Sequence, residues 1–305
     1  MKLISWCLTL IAAVTMLFLA VESSAALPPS GELIVCGWDE VYILDMSTQP
    51  PKKVWSWKAA NRPDLPEAMW TKFQHTDDCK PVDGGRRILI SSSTGGVALV
   101  ERATGKVMFY AGVGAAHSIE MLPGNRIVVA SSTGESPLHD RLVLFDATKS
   151  DQPLFDTELA SGHGAVWDDA RQLLWTLSGR YLRTYRLMDW ETTKPQLSKV
   201  DEYPLPSGSG HDLLPIPRTN LLSVTTIRDA YVFDRASHSF APHPQLAGKP
   251  NVKSVTVNPE TKQIAWTQAD EGFWWTATIR FLNPEGTQVE EGARRYKVRW
   301  MESSP

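Results

Sequence analysis

Four histidines stand at one point of a recurring stretch. They are His75 in QHTDDCKPV, His117 in AHSIEMLP, His163 in GHGAVWDD and His211 in GHDLLPIP. A fifth copy, VKSVTVNP, carries Lys253 at that point. In four of the five copies a proline follows six positions later (Pro81, Pro123, Pro217 and Pro259), and Asp169 takes that place in the third. Neutral imidazoles gathered round one point suit a borderline divalent ion such as Zn, Mn, Fe, Ni or Cu. Such an ion polarises a carbonyl or carboxylate, or acidifies a bound water. The spacing therefore predicts His75, His117, His163 and His211 as metal ligands and a divalent metal, Mn, Zn or similar, as cofactor. Asp77, Asp168, Asp212 and Glu120 lie close enough in sequence to orient the imidazoles from behind. Lys253, with Arg180 and Arg228, is the candidate catalytic cation, clamping an anionic group or neutralising an enolate. A histidine left outside the coordination shell would serve as general base near neutral pH. Trp38, Asp39, Trp70, Asp77, Asp212 and Trp274 are candidate substrate contacts, since a flat indole suits the face of a sugar ring.

Each of these residues also has a plainer role open to it. Any single histidine is by default a satisfied core residue, and Gly162-His163 or Gly210-His211 can be the structural Gly-His of a WD repeat. Against the latter, the third strands end in ILD, LFD and VFD with no Trp-Asp. Lys253 can simply face Asp212, and Arg180 and Arg228 can pair with neighbouring acids at the surface. Trp167, Trp175 and Trp266 read as core fillers, and Trp274-Trp275 can begin a buried third strand. His139, His238 and His243 fall out of register and are expected at the surface.

The elements that must position such a ring follow from the period. The copies recur every 42 to 48 residues and consist of short β-rich runs separated by turn residues. Runs such as RIVVASS, RLVLFD and PLFDTEL alternate with PGN, ATG, DAR and NPETK, with no sustained helical period. That pattern predicts an all-β, six-bladed β-propeller with four strands per blade, occupying residues 27–305 as one domain. The first unit, beginning ELIVCGW, lacks an inner strand. The C-terminal RRYKVRW is expected to supply it, pairing beside ELIVCGW and closing the ring. Residues 59–72 are an insertion, expected to form a loop over one mouth of the channel.

The predicted ring sits where inner strands begin, so the loops between second and third strands should surround it. These loops (GWDE, SSTGG, SSTGESPLHD, LSGRY, TIRDA and QADEGFWW) are polar and partly aromatic. The loops of the other face read as ordinary tight turns. The asymmetry marks one face as functional.

The net charge is −3, which argues against a broad nucleic-acid surface. Residues 1–26 read as a signal peptide: Lys2, an apolar run over residues 4–20, then Ser24-Ala25-Ala26 as a small-residue cleavage site. The mature protein is thus expected in the periplasm or medium, as a monomer with no membrane span after cleavage. An uncleaved anchor is the plainer alternative. Cys36 and Cys79 remain after cleavage, either as a disulfide or as two buried thiols.

The motifs AHSIEMLPGNRIVVASS, GHGAVWDDARQLLW and GHDLLPIP resemble an uncharacterised family of secreted bacterial six-bladed propellers with weak WD-like repeats. More remotely, the histidine positions 75, 117, 163 and 211 resemble the axial ring of oligogalacturonate-lyase-type propellers. That resemblance implies a divalent ion held by histidines and a positive residue supporting a uronate, although those lyases have seven blades. The expected function is a metal-dependent carbohydrate lyase or hydrolase binding a small molecule or glycan at the axial mouth. The alternatives are a noncatalytic binding scaffold and a metal-free transferase that moves a group through histidine.

Overall fold

The computed structural model describes residues 31–134 and 138–301. The segment read as a signal peptide lies outside the described residues, as do residues 135–137 of one mouth loop. The described chain forms six four-stranded antiparallel sheets. From the second blade onward each sheet runs outward in chain order, with inner strands at Thr76–Val82, Ala116–Leu122, Gly164–Asp168, Gly210–Pro215 and Val252–Val257. These strands form because β-branched and aliphatic residues alternate with small or polar ones, between turns that carry Gly, Asn and Asp at positive φ.

The first blade is composite. Its inner strand is the C-terminal Lys297–Trp300, which pairs antiparallel with Glu32–Gly37, Cys36 opposite Lys297 and Leu33 opposite Trp300. The expected closure is therefore present, and no sheet edge is open at the join. Gly37 makes the join possible. Its φ is +154°, and a Cβ there would collide with the Arg294 carbonyl.

The core lies between neighbouring sheets, in clusters that each draw on two blades. One contains Ile34, Cys36, Trp57, Cys79, Ile88 and Ile90 from blades 1 and 2. Cys36 and Cys79 are free, fully buried thiols within it.

The 59–72 insertion departs from expectation. It folds into short helical turns (Ala59–Asn61, Glu67–Trp70 and Thr71–Phe73), and Leu65, Met69 and Phe73 fill the same interblade core. Apolar residues spaced every four positions drive it inward, so it is a packed wall rather than a loose loop. Trp70, expected at the substrate, is consumed by this wall, its indole N–H donating to the carbonyls of Arg62 (3.3 Å) and Leu65 (3.2 Å).

Candidate functional site at the axial mouth

In four blades a β-bulge near the start of the inner strand aims one residue at the axis. In blade 2 the shift falls between Thr76 and Asp78, in blade 3 between Ala116 and Ser118. In blades 5 and 6 it falls between Gly210 and Asp212 and between Val252 and Ser254. The residues left unpaired are Asp77, His117, His211 and Lys253. His163 in blade 4 and Tyr296 in blade 1 occupy the matching place, each donating its backbone N–H to the last or next-to-last residue of the neighbouring second strand. The axial ring is thus Tyr296, Asp77, His117, His163, His211 and Lys253, one residue per blade.

This corrects the ring read from sequence at one position. His75 lies two residues upstream of the axial position, and Asp77 takes the blade-2 place. The spacing to Pro81 is coincidental, because pairing aligns Asp78, not Thr76, with Ser118. His75 stands at the rim between Trp38 (ring centroids 4.6 Å apart) and Trp274 (5.5 Å).

The ring lines a cavity of about 280 Å³, together with His75, Ser93 and Trp274. Backbone carbonyls set the histidine tautomers. His117 Nδ1 lies 2.8 Å from the Ala115 carbonyl and His163 Nδ1 lies 3.0 Å from that of Ser161. A carbonyl only accepts, so both Nδ1 atoms carry a proton; the neutral His163 then presents Nε2 as a bare acceptor, whereas His117 Nε2 faces Asp77. Lys253 Nζ lies 3.0 Å from His211 Nε2, which makes that nitrogen the acceptor as well. His211 Nδ1 is then a donor, and it is buried with no partner.

Burial, the neighbouring His117 and His211, and Lys297 push His163 well below the ordinary imidazole range. Burial, then Lys253 and Lys297, does the same to His211. Burial lowers Lys253 to about 8, with Lys297 adding repulsion. Asp77 is raised by burial, which outweighs the pull of His117, whose Nε2 lies 3.6 Å from Asp77 Oδ1. Tyr296 is raised well above the phenol range, by burial first and then by Asp77. The mouth near pH 7 therefore presents His163 and His211 as neutral imidazoles beside one softened ammonium.

The rim is aromatic. Trp38 stacks on Trp274 with centroids 5.3 Å apart and planes 12° apart, and the Arg294 guanidinium covers the Trp38 ring at 4.2 Å. Trp274 and Phe273 are 36% and 57% exposed, a large apolar area to leave in water beside a polar cavity.

Of the other residues expected at the site, Asp77 and Trp274 line the cavity and Trp38 packs on it. Asp39 stands at the outer rim, paired with Lys58 at 3.1 Å. Arg180 and Arg228 are exposed, and the structure does not bring them to the cavity. Asp212 lies beneath the ring, held by Arg299 and Lys297. Asp168 and Glu120 belong to the far half of their strands. Asp168 binds Arg171 and Arg235, and Glu120 binds Lys80, so neither orients a ring histidine. His243, expected at the surface, is buried. Among the described residues, no three His, Cys, Asp or Glu side chains stand close enough together, as placed, to hold a metal ion.

Sequence reasoning missed Tyr296 and the plug below the ring. Lys297 and Arg299 enter the axis from the closing strand. Lys297 Nζ lies 3.2 Å from Asp212 Oδ1 and donates to the His117 carbonyl at 3.3 Å. Arg299 bridges Asp212 (2.6 Å) and Asp78 (2.9 Å). Lys80 follows, 3.7 Å from Asp78 and 3.0 Å from Glu120. Three cations and three anions thus cross the axis and make the mouth a blind cavity. The available signal was the alternation Lys297-Val298-Arg299 in a strand already expected to be innermost.

One solved structure similar to this chain is titled "Crystal structure of Nidogen/Laminin Complex", with a TM-score of 0.61 and 14% identity over 90% of this chain and 99% of that one. Likeness at that identity establishes the propeller fold alone. No curated protein matches. A family model does match residues 35–304, that of a family of unknown function (DUF6528).

Proposed function

The chain belongs to that family, DUF6528, and because membership assigns no activity, we propose that its axial mouth binds an acidic carbohydrate and acts on it by acid–base chemistry. The observation that carries this reading is the ammonium of Lys253, set against His211 and lining one cavity with His117 and His163 under an aromatic rim. Lys253 takes the carboxylate of a uronate. The Nε2 atom of His163 accepts from a sugar hydroxyl, and Trp38 and Trp274 cover a pyranose face. In this reading His117 Nε2, its ring held by the Ala115 carbonyl, removes the proton α to the carboxylate, Asp77 beside that nitrogen stabilises the imidazolium formed, and Lys253 neutralises the charge that develops. The C–H electrons form the new double bond, the β-oxygen leaves, and that oxygen takes its proton from water. Hydrolysis of the same bond would use the same base on a water. The apolar run over residues 4–20 supports export of the chain to the periplasm or medium. Acidic oligosaccharides should bind by calorimetry, and elimination should appear as ultraviolet absorbance of an unsaturated product. Binding without turnover would leave a noncatalytic sugar-binding propeller. Binding that survives Lys253→Gln and His117→Ala would overturn the reading.

A second reading, a divalent ion at the ring, draws on the two Nδ1–H groups of His117 and His163. A carbonyl behind a histidine fixes Nε2 forward, as in metal centres. His117 and His163, whose rings lie 4.4 Å apart, and His211 would hold the ion, which would supply Lewis acidity. Lys253 would have to leave His211 Nε2 first. Elemental analysis of untagged protein beside a His117→Ala/His163→Ala variant decides it.

A further inference from the structure

The face whose loops read as ordinary turns carries a cavity of about 370 Å³ at the other end of the axis. The apolar part of its wall is Pro81, Met121, Trp167, Pro215, Val257 and Trp300. These residues come from the far halves of all six inner strands, so the cavity is a ring site like the histidine mouth. The ionic plug separates the two. At its base lie Lys80, Glu120 and Arg299.

The base holds two cations and one anion, but they differ in availability. The Lys80 ammonium is engaged by Glu120, by the Ala165 carbonyl at 2.5 Å and by Asp78, and its side chain is 7% exposed. Arg299 spends both terminal nitrogens on Asp78, Asp212 and the Val298 carbonyl. Both cations are turned inward, and the one donor left over, the Arg299 Nε–H, is itself buried. Glu120 is different. It accepts once on each oxygen, from Lys80 and from the Met121 backbone N–H at 3.2 Å. A carboxylate offers about four acceptor positions, so roughly half remain, on the most exposed charged group of the plug at 17%. Asp83 adds a second carboxylate at the rim, paired with Arg87.

We propose that this opposite mouth is a second binding site, for an amphipathic cation: an ammonium or guanidinium tip on an apolar stem. The tip docks on Glu120, and the stem lies against Trp167, Trp300 and the proline wall. An anion would meet no exposed free donor on Lys80 or Arg299, and a neutral alcohol would leave the free lone pairs half used. A free alkylamine and a lysine or arginine side chain of a peptide share this chemistry.

Ligand-observed NMR titration of the full chain tests it, with n-butylguanidinium and n-butylammonium against butyrate and n-butanol as matched probes. The cations should bind about tenfold more tightly than the other two. A Gly-Gly-Arg-Gly-Gly peptide separates the sources, since tighter binding than butylguanidinium points to a protein partner and equal or weaker binding to a free amine. Glu120→Gln should weaken the cations about tenfold. Met121→Arg, which places a guanidinium in the cavity without touching the plug, should abolish their binding while a cooperative melt shows that the fold persists. His163→Ala, in the other mouth, should change nothing. No binding by either cation, or binding of butyrate or butanol as tight as theirs, overturns the proposal. So does cation binding lost in His163→Ala rather than in the two cavity variants.

Discussion

Arg299 and Asp212 meet at 2.6 Å in the sealed centre of the molecule, 87 residues apart in sequence. Arg299 comes from the closing strand of blade 1 and Asp212 from the inner strand of blade 5. The same guanidinium reaches Asp78 of blade 2. One side chain therefore ties three sheets together across the axis. The two acids hold Arg299 above the ordinary guanidinium range against burial, and Arg299 leads Lys80 and Lys297 in holding Asp78 below the carboxylate range against burial.

Breaking that contact should be costly. Arg299→Met leaves two carboxylates buried with one cation fewer, and removing one partner of a buried pair typically costs about 3–5 kcal/mol. In a domain of this size that is a drop of roughly 10 °C in melting temperature. Asp212→Asn should cost less, because Asp78 still holds the guanidinium. Thermal melts of both variants check the order. Equal and small losses would mean that the plug is not what ties the blades together.

The closing strand gives a sharper expectation. Deleting residues 294–305 removes the Lys297–Trp300 strand, exposes the edge of Glu32–Gly37, strips Asp212 of Lys297 and Arg299 and leaves Asp78 with the Lys80 cation alone. The truncated chain should show no cooperative melt by circular dichroism. A truncation that melts at the temperature of the full chain would mean that the blade-1 closure contributes nothing.

Blade number, strand order and closure were legible because each rests on local alternation and turn chemistry, which repeat every 42 to 48 residues. His117, His163, His211 and Lys253 were legible as a ring because each keeps a fixed place in its strand. His75 was misplaced because a β-bulge inserts a residue that no hydrophobic pattern betrays. Composition points to Asp77 no more strongly than to Asp78, and only pairing to Ser91 and Ser92 separates them. Glu120 was expected behind an imidazole and Lys80 drew no expectation, since sequence cannot show that six strands converge and bury the two together. Arg180 and Arg228 misled for the opposite reason: they lie in loops of the right face but on its outer part.

Lys253 carries a prediction in which binding and stability move oppositely. Its ammonium is present below about 8 in the folded protein and below about 10.5 in the unfolded chain. An acidic ligand should therefore bind progressively more weakly as pH rises through about 8. Between about 8 and 10.5 the unfolded chain holds more protons, so this residue's contribution to stability improves with rising pH; at neutral pH its burial cost is present in full. Lys253→Met should abolish acidic-ligand binding and raise stability at pH 7 by about 2 kcal/mol. Calorimetric titration and urea denaturation of the same preparation test both halves. A destabilised variant would show that the ammonium contributes more through His211 than it costs by burial.

His243 should dominate acid sensitivity away from the site. It is 3% exposed, and its Nδ1 accepts from the backbone N–H groups of Gln245 (3.3 Å) and Leu246 (3.2 Å), which holds the turn that seats the buried Leu246. An Nδ1 that accepts cannot carry a proton, and burial lowers this imidazole to about 4. The unfolded chain takes up a proton near 6.5 while the folded one refuses it until about 4. The stabilisation is thus complete above 6.5 and is lost as pH falls from 6.5 to about 4, with about 3 kcal/mol at stake. His163 and His211, lowered by their own burial, add to the same loss. His243→Asn can keep an acceptor without the titration, so it should flatten the decline between pH 6 and 4 while staying close to the parent at pH 7.5. His243→Ala should be destabilised at both. A parent and an Asn variant that lose stability in parallel on acidification would move the acid sensitivity to the histidine mouth.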